Sequence, residues 1–165
     1  MWLNSSKGEG TTFYFIIPQE KDVYEFNTTK KEKSNFNDTE KDKTILIVED
    51  DIINQKYLEK LLEKTNINLL TAKTGEQAIK IVKNNPSIDL VLMDIRLPGM
   101  NGYETTKAIK AINSKIIVIA QTAYAMQDEH NKARTMGCDD YISKPINQNV
   151  LFNKLNDYLY KNKMT

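Results

Sequence analysis

Residues 89–94 read Asp-Leu-Val-Leu-Met-Asp: four large apolar residues in unbroken succession, closed by a carboxylate. An amphipathic strand would alternate, so a short continuous run of this kind describes a strand covered on both faces. The runs around it share the character: Thr44–Val48 (TILIV), Ile67–Thr71 (INLLT) and Ile116–Ala120 (IIVIA), with Asp140–Ser143 (DYIS) as a shorter fifth. Segments of helical period lie between them. Ile53, Tyr57, Leu58, Leu61 and Leu62 predict one apolar stripe; Val150, Leu151, Leu155, Tyr158 and Leu159 predict another, interrupted by Lys154. Thr74 with Gln77 and Asn101 with Glu104 are spaced as capping boxes that start helices. Five β-α units in strict alternation predict a doubly wound α/β fold, a five-stranded parallel sheet with right-handed crossovers and helices on both faces.

Upstream of this block the composition changes. From Thr28 to Lys43 nine of sixteen residues are charged and Phe36 is the one large hydrophobe, a stretch unable to bury enough surface to offset its ordering entropy. Residues 19–43 therefore read as a linker, with Val23, Tyr24 and Phe26 as a candidate docking patch. The chain of 165 residues is near neutral, at +1, with 23 basic against 22 acidic side chains. A mixed charge of this kind argues against nucleic-acid binding, which needs a concentrated basic face. The single cysteine, Cys138, cannot form an internal disulfide and points to a reducing, cytoplasmic setting. No apolar run reaches the roughly 18 residues of a membrane span, so no direct membrane contact is expected.

In open parallel sheets the working residues lie just beyond the carboxyl ends of the strands. There the first run leads into Glu49, Asp50 and Asp51, the third into Asp94, the fourth into Thr122 and Ala123, and the fifth into Lys144 and Pro145. Crowded carboxylates repel one another unless a cation sits among them, and oxygen ligands favour a hard divalent ion such as magnesium. Lys144, the Thr122 hydroxyl and the Ala123 backbone N–H form an anion-binding half beside it. A metal, an anion cradle and a carboxylate nucleophile together suit phosphoryl transfer to Asp94. Asp51 reads as a helix N-cap rather than a further ligand, His130 as a solvated surface residue, Cys138 as a packing residue, and Asp139-Asp140 as a solvated turn.

With KTILIVEDDIINQ, DLVLMDIRLPGMNGYE, IIVIAQTAYAM and GCDDYISKPI in this order, residues 43–163 resemble the receiver domain of two-component response regulators. The resemblance implies a flavodoxin-like sheet of order 2-1-3-4-5 with five helices, the receiver spanning 44–163. It implies Asp94 as phosphoacceptor, Glu49 and Asp50 as the acidic magnesium pair, and a metal contact from the Arg96 backbone carbonyl. It further implies Thr122 as the switch hydroxyl, Lys144 as the phosphoryl-binding lysine and Tyr141 as the rotating aromatic. Glu49 departs from the aspartate most common there, which shifts metal geometry without removing binding. Large residues at Arg96 and Tyr124 beside the path of the hydrolytic water imply slow self-dephosphorylation.

The segment WLNSSKGEGTTFYFIIP, Trp2–Pro18, resembles the closing hairpin of a histidine-kinase ATPase domain, so residues 1–18 read as its C-terminal remnant. The chain then corresponds to the end of a hybrid histidine kinase cut inside that domain, without a kinase core or ATP binding of its own. The expected chemistry is magnesium-dependent aspartyl phosphorylation and self-dephosphorylation. The expected partners are a kinase phosphohistidine domain, a histidine phosphotransfer protein, or both. With no DNA-binding segment after the receiver-like region, the expected output is relay or control of the parent kinase, whose membrane anchoring is left open. Thr11–Ile17, a strand without its parent sheet, is expected to be mobile or to pair with another copy or a neighbouring surface. Two rivals stand beside this reading. One is a non-phosphorylated interaction module regulating the parent kinase; the other is a flavin-binding carrier, which would need a glycine- and hydroxyl-rich loop where Glu49-Asp50-Asp51 stands.

Overall fold

The computed structural model describes residues 2–8, 10–14, 43–63, 65–123 and 133–160, and the chain divides into two units, Met1–Asn35 and Phe36–Thr165. In the first unit, β1 (Trp2–Ser6) and β2 (Gly10–Tyr14) pair antiparallel, with Trp2 opposite Tyr14 and Ser6 opposite Gly10. Gly8 and Gly10 turn the chain at φ +92° and +94°, a region closed to most side chains. Leu3 and Phe13 face each other across this hairpin and are exposed.

The second unit is built on five parallel strands: β3 (Lys43–Val48), β4 (Ile67–Ala72), β5 (Leu90–Asp94), β6 (Ile117–Thr122) and β7 (Asp140–Ser143). Their spatial order is β4-β3-β5-β6-β7, the 2-1-3-4-5 winding expected from the resemblance. Four helices are described: α1 (Ile52–Leu62), α2 (Gly75–Asn84), α3 (Gly102–Ile112) and α4 (Gln148–Leu159). A helical turn at 133–135 precedes β7; His130 and Tyr124 lie outside the described residues.

The two-residue period of the strands sorts the apolar side chains into two layers. Leu46, Val48, Val91, Met93, Val118 and Ala120 pack with Ala78 and Val82 of α2 and Tyr103 and Ile109 of α3. Ile45, Ile47, Leu90, Leu92 and Ile119 pack on the other side with Leu58 and Leu62 of α1 and Leu151, Leu155 and Leu159 of α4. Cys138 is buried in the first layer, where desolvation pushes its thiol pKa up, the environment of a packing residue rather than a reactive one.

Three details differ from the sequence reading. The stripe of α1 is narrower: Gln55, Leu58 and Leu62 are its buried residues, whereas Ile53 is 74% exposed and Tyr57 46%. Asn101 and Glu104 make a reciprocal capping box, but at α2 the Gln77 side chain accepts from Lys73 N–H rather than from the cap residue Thr74. Asp139 and Asp140 are more than a solvated turn. One Asp139 oxygen receives Lys110 at 2.6 Å and the Val118 N–H at 2.7 Å, and Asp140 pairs with Lys154 at 2.5 Å.

Candidate functional site

At the carboxyl edge of the sheet, Asp94 is the last residue of β5 and Thr122 the last of β6, both buried. Glu49 follows β3 immediately and is 1% exposed, its backbone N–H held by the Ala72 carbonyl at 3.0 Å. Asp50 is exposed beside it, and carboxylate oxygens of Glu49, Asp50 and Asp94 lie within 4.8 Å of one another. Asp51 turns away to cap α1, accepting from the N–H groups of Ile53 and Asn54 at 2.7 and 2.9 Å.

Lys144 reaches into this group from the residue after β7. Its ammonium donates to Glu49 Oε2 and to Asp94 Oδ2, each at 2.7 Å, and its backbone N–H donates to the Thr122 carbonyl at 2.7 Å. The other Asp94 oxygen accepts from Arg96 N–H at 2.9 Å, and the other Glu49 oxygen from the Asn54 side-chain amide at 3.0 Å. Asn54 is absent from the sequence-based site; its one legible signal is a polar residue in the first turn of the helix that follows the acidic pair.

Burial is the largest influence on Glu49 and pushes its carboxyl pKa above the ordinary 4.5, with Lys144 and Asn54 opposing and the Asp94 charge adding. Burial would lower the Lys144 ammonium, but its bonds to Asp94 and Glu49 outweigh that and hold it above 10.5. Three carboxyl groups against one ammonium leave negative charge in excess. With donors that are all oxygen, the arrangement fits a hard divalent cation.

Close packing fixes the backbone under this chemistry. Gly102, at the start of α3, donates to the Ile95 carbonyl at 3.1 Å, and a Cβ there would stand 2.2 Å from the Asp94 carbonyl oxygen. A side chain at 102 would push α3 off the end of β5. Tyr141 on β7 is half-buried, with the Lys154 ammonium 5.4 Å from its ring centroid, which accounts for the lysine that breaks the apolar stripe of α4. Of the expected residues, Glu49, Asp50, Asp94 and Lys144 converge, Thr122 is joined to Lys144 through the backbone, and Ala123 is exposed at the rim.

Beyond the acids, α1 and the segment before α4 form an apolar rim. Ile52, Ile53 and Tyr57 are exposed, as is Val150 of α4, and the Tyr57 hydroxyl donates to the Ile146 carbonyl at 3.0 Å. Among the described residues no helix is long and apolar enough to cross a membrane.

Residues 45–156 match the response regulator receiver domain family. Over 125 residues the chain is 38% identical to hybrid signal transduction histidine kinase I of Dictyostelium discoideum, a match covering 71% of this chain but 7% of that protein. Its structure is similar to a chain of the Saccharomyces cerevisiae co-crystal of the histidine phosphotransfer protein Ypd1 with the receiver domain of the response regulator Ssk1. The TM-score is 0.68 at 33% identity, over 71% of this chain and 88% of that one. It is also similar to the receiver domain of the Pseudomonas aeruginosa sensor histidine kinase PA1611, which has a magnesium ion coordinated in its active-site cleft. There the TM-score is 0.66 at 30% identity, over 72% and 98% of the two chains.

Proposed function

The chain belongs to the response regulator receiver family of two-component phosphorelays, and on that premise we propose that Asp94 is the residue that accepts the phosphoryl group, from a phosphohistidine. The observation that carries the assignment is the placement of Asp94: a buried carboxylate at a strand end, one oxygen on a backbone N–H and the other sharing a single ammonium with Glu49. In the transfer the Asp94 oxygen forms the new bond to phosphorus, the phosphorus–nitrogen bond breaks, and the electron pair leaves with the imidazole. Lys144 neutralises charge on the equatorial oxygens. Glu49, Asp50 and Asp94, with the Arg96 carbonyl, are the residues to hold magnesium, whose chemistry is charge neutralisation at the transferring group.

Thr122 and the Ala123 N–H then hold the phosphoryl oxygens, and Tyr141 turns inward as Thr122 moves, biasing a two-state surface. The exposed apolar rim beside Asp51 suits a helical, histidine-bearing partner, a kinase phosphohistidine domain or a phosphotransfer protein of the sort that the yeast relative is crystallised with. Residues 1–18 are proposed as the end of a kinase ATPase domain, 19–43 as a linker and 44–163 as the receiver, a cytoplasmic piece of a hybrid kinase.

The test is exposure of the full chain to a small phosphodonor with magnesium, followed by intact-mass measurement. A gain of one phosphoryl group is expected, lost in Asp94→Asn and lost on chelation. Equal labelling of Asp94→Asn would move the site elsewhere, and no labelling of the parent chain would favour the interaction-module reading.

A further inference from the structure

We infer that Asn54 is a positioning residue for the metal centre, setting the orientation of the Glu49 carboxylate; the inference rests on the magnesium reading proposed above. Glutamate has one torsion more than aspartate, so an unanchored arm at 49 has several staggered positions, of which a subset directs an oxygen toward Asp50 and Asp94. The structure fixes the backbone at its root and holds the arm itself at two points. The Glu49 backbone N–H is fixed on Ala72, Oε2 receives Lys144 at 2.7 Å, and Oε1 receives the Asn54 amide at 3.0 Å.

The Lys144 contact is the one a cation must compete with, because that ammonium also holds Asp94. The Asn54 contact comes from a different element and is neutral, so it persists when positive charge arrives. A carboxylate oxygen has two lone pairs and can keep this hydrogen bond while it serves as a ligand.

Asn54 has no comparable duty in its own helix. The start of α1 is already capped by Asp51, which accepts the Asn54 N–H at 2.9 Å, and the residue is exposed rather than packed. Asp51 thereby sets the first turn of α1, the first turn sets Asn54, and Asn54 sets Glu49. The pairing also gives the longer acid a reason: one methylene less at 49 would draw the carboxylate back from the amide.

Magnesium chloride titration of the full 165-residue chain, followed by backbone amide NMR shifts, tests this. Asn54→Ala and the similarly shaped Asn54→Leu should each weaken magnesium binding by about tenfold, the lower end of the effect of losing a partner that orients a metal ligand. In a Glu49→Asp background the same two changes should alter the affinity by less than about twofold, because the contact is already gone. Affinity within twofold of the parent chain for both single variants overturns the inference and leaves the magnesium site standing. So does an equal loss in both backgrounds, which would mean that Asn54 acts by another route. A parent chain that binds no magnesium overturns the metal reading and this inference together.

Discussion

Both edges of the sheet carry lysine–carboxylate pairs, but in different proportion. At the amino edge each acid has its own ammonium and its own backbone donor. Asp89 pairs with Lys43 at 2.8 Å and accepts the Thr44 N–H at 3.0 Å; Asp139 pairs with Lys110 and accepts the Val118 N–H. At the carboxyl edge one ammonium serves Glu49 and Asp94 together, with Asp50 close by. The first arrangement is closed, since charge and hydrogen bonds are matched within the protein. The second is open, with surplus negative charge and clustered carboxylate oxygens, those of Asp50 on an exposed residue. The same residue types thus tie strands together at one edge and leave a demand for a cation at the other.

Removing the shared ammonium should give the largest break between the edges. In Lys144→Ala two buried carboxyl groups lose their common counter-charge, and the metal-free chain should lose up to about 3 kcal/mol of stability, as buried pairs do when one partner is deleted. Magnesium should then recover more stability in the variant than in the parent, because the competing cation is gone. Urea unfolding with and without magnesium measures both quantities; equal magnesium responses in the two chains would mean that Lys144 does not compete for the site.

Acidity offers a second, smaller way to separate the edges. Glu49 has a pKa raised above 4.5, chiefly by burial, so its folded form binds a proton more tightly than the unfolded chain does. The stability it contributes is therefore fully present below 4.5 and is lost as pH rises through the raised folded value. Magnesium held as proposed needs the ionised form, so it should offset this loss near neutrality and compete with protons below. At ten times its dissociation constant the ion should stabilise the chain by roughly 1.4 kcal/mol at pH 7.5. The effect should fade as pH falls toward 4.5, and a melting shift that is flat across that range would remove Glu49 from the ligand set.

The strand runs and the chemistry at their ends are legible because burial on both faces leaves no freedom in residue type and because the site falls where chains leave the sheet. The acids after β3, Asp94 at the end of β5 and Lys144 after β7 are found by position alone. Other features depend on distances that periodicity does not encode. Ile53 and Tyr57 look like core on α1, but Leu58 and Leu62, with Leu61 partly buried beside them, are the residues that reach the second layer, which releases the other two to the rim. Lys154 looks like an error in the stripe of α4 until Asp140 and the Tyr141 ring are placed beside it. Asn54 has the plainest sequence signal of all, one polar residue on an exposed turn, and acquires a role through its 3.0 Å contact with Glu49.

The smallest effect sharpens the contrast from the closed side. Lys43 and Asp89 are partly exposed, at 12% and 30% of their side-chain areas, so solvent screens the pair, and its removal should cost no more than about 1 kcal/mol. Asp89→Asn keeps the shape and one acceptor oxygen. The amide oxygen can still take the Thr44 N–H while the charge on Lys43 turns toward water. Stability should fall by less than that bound, chiefly at low salt, where the Coulomb part is least screened. Magnesium affinity should stay within about twofold of the parent, since the two edges lie at opposite ends of the strands and share no partner. Urea unfolding at two salt concentrations and a magnesium titration are the measurements. A change in magnesium affinity beyond that bound would mean that charge at the amino edge is felt through the sheet, and the division into a closed and an open edge would fail.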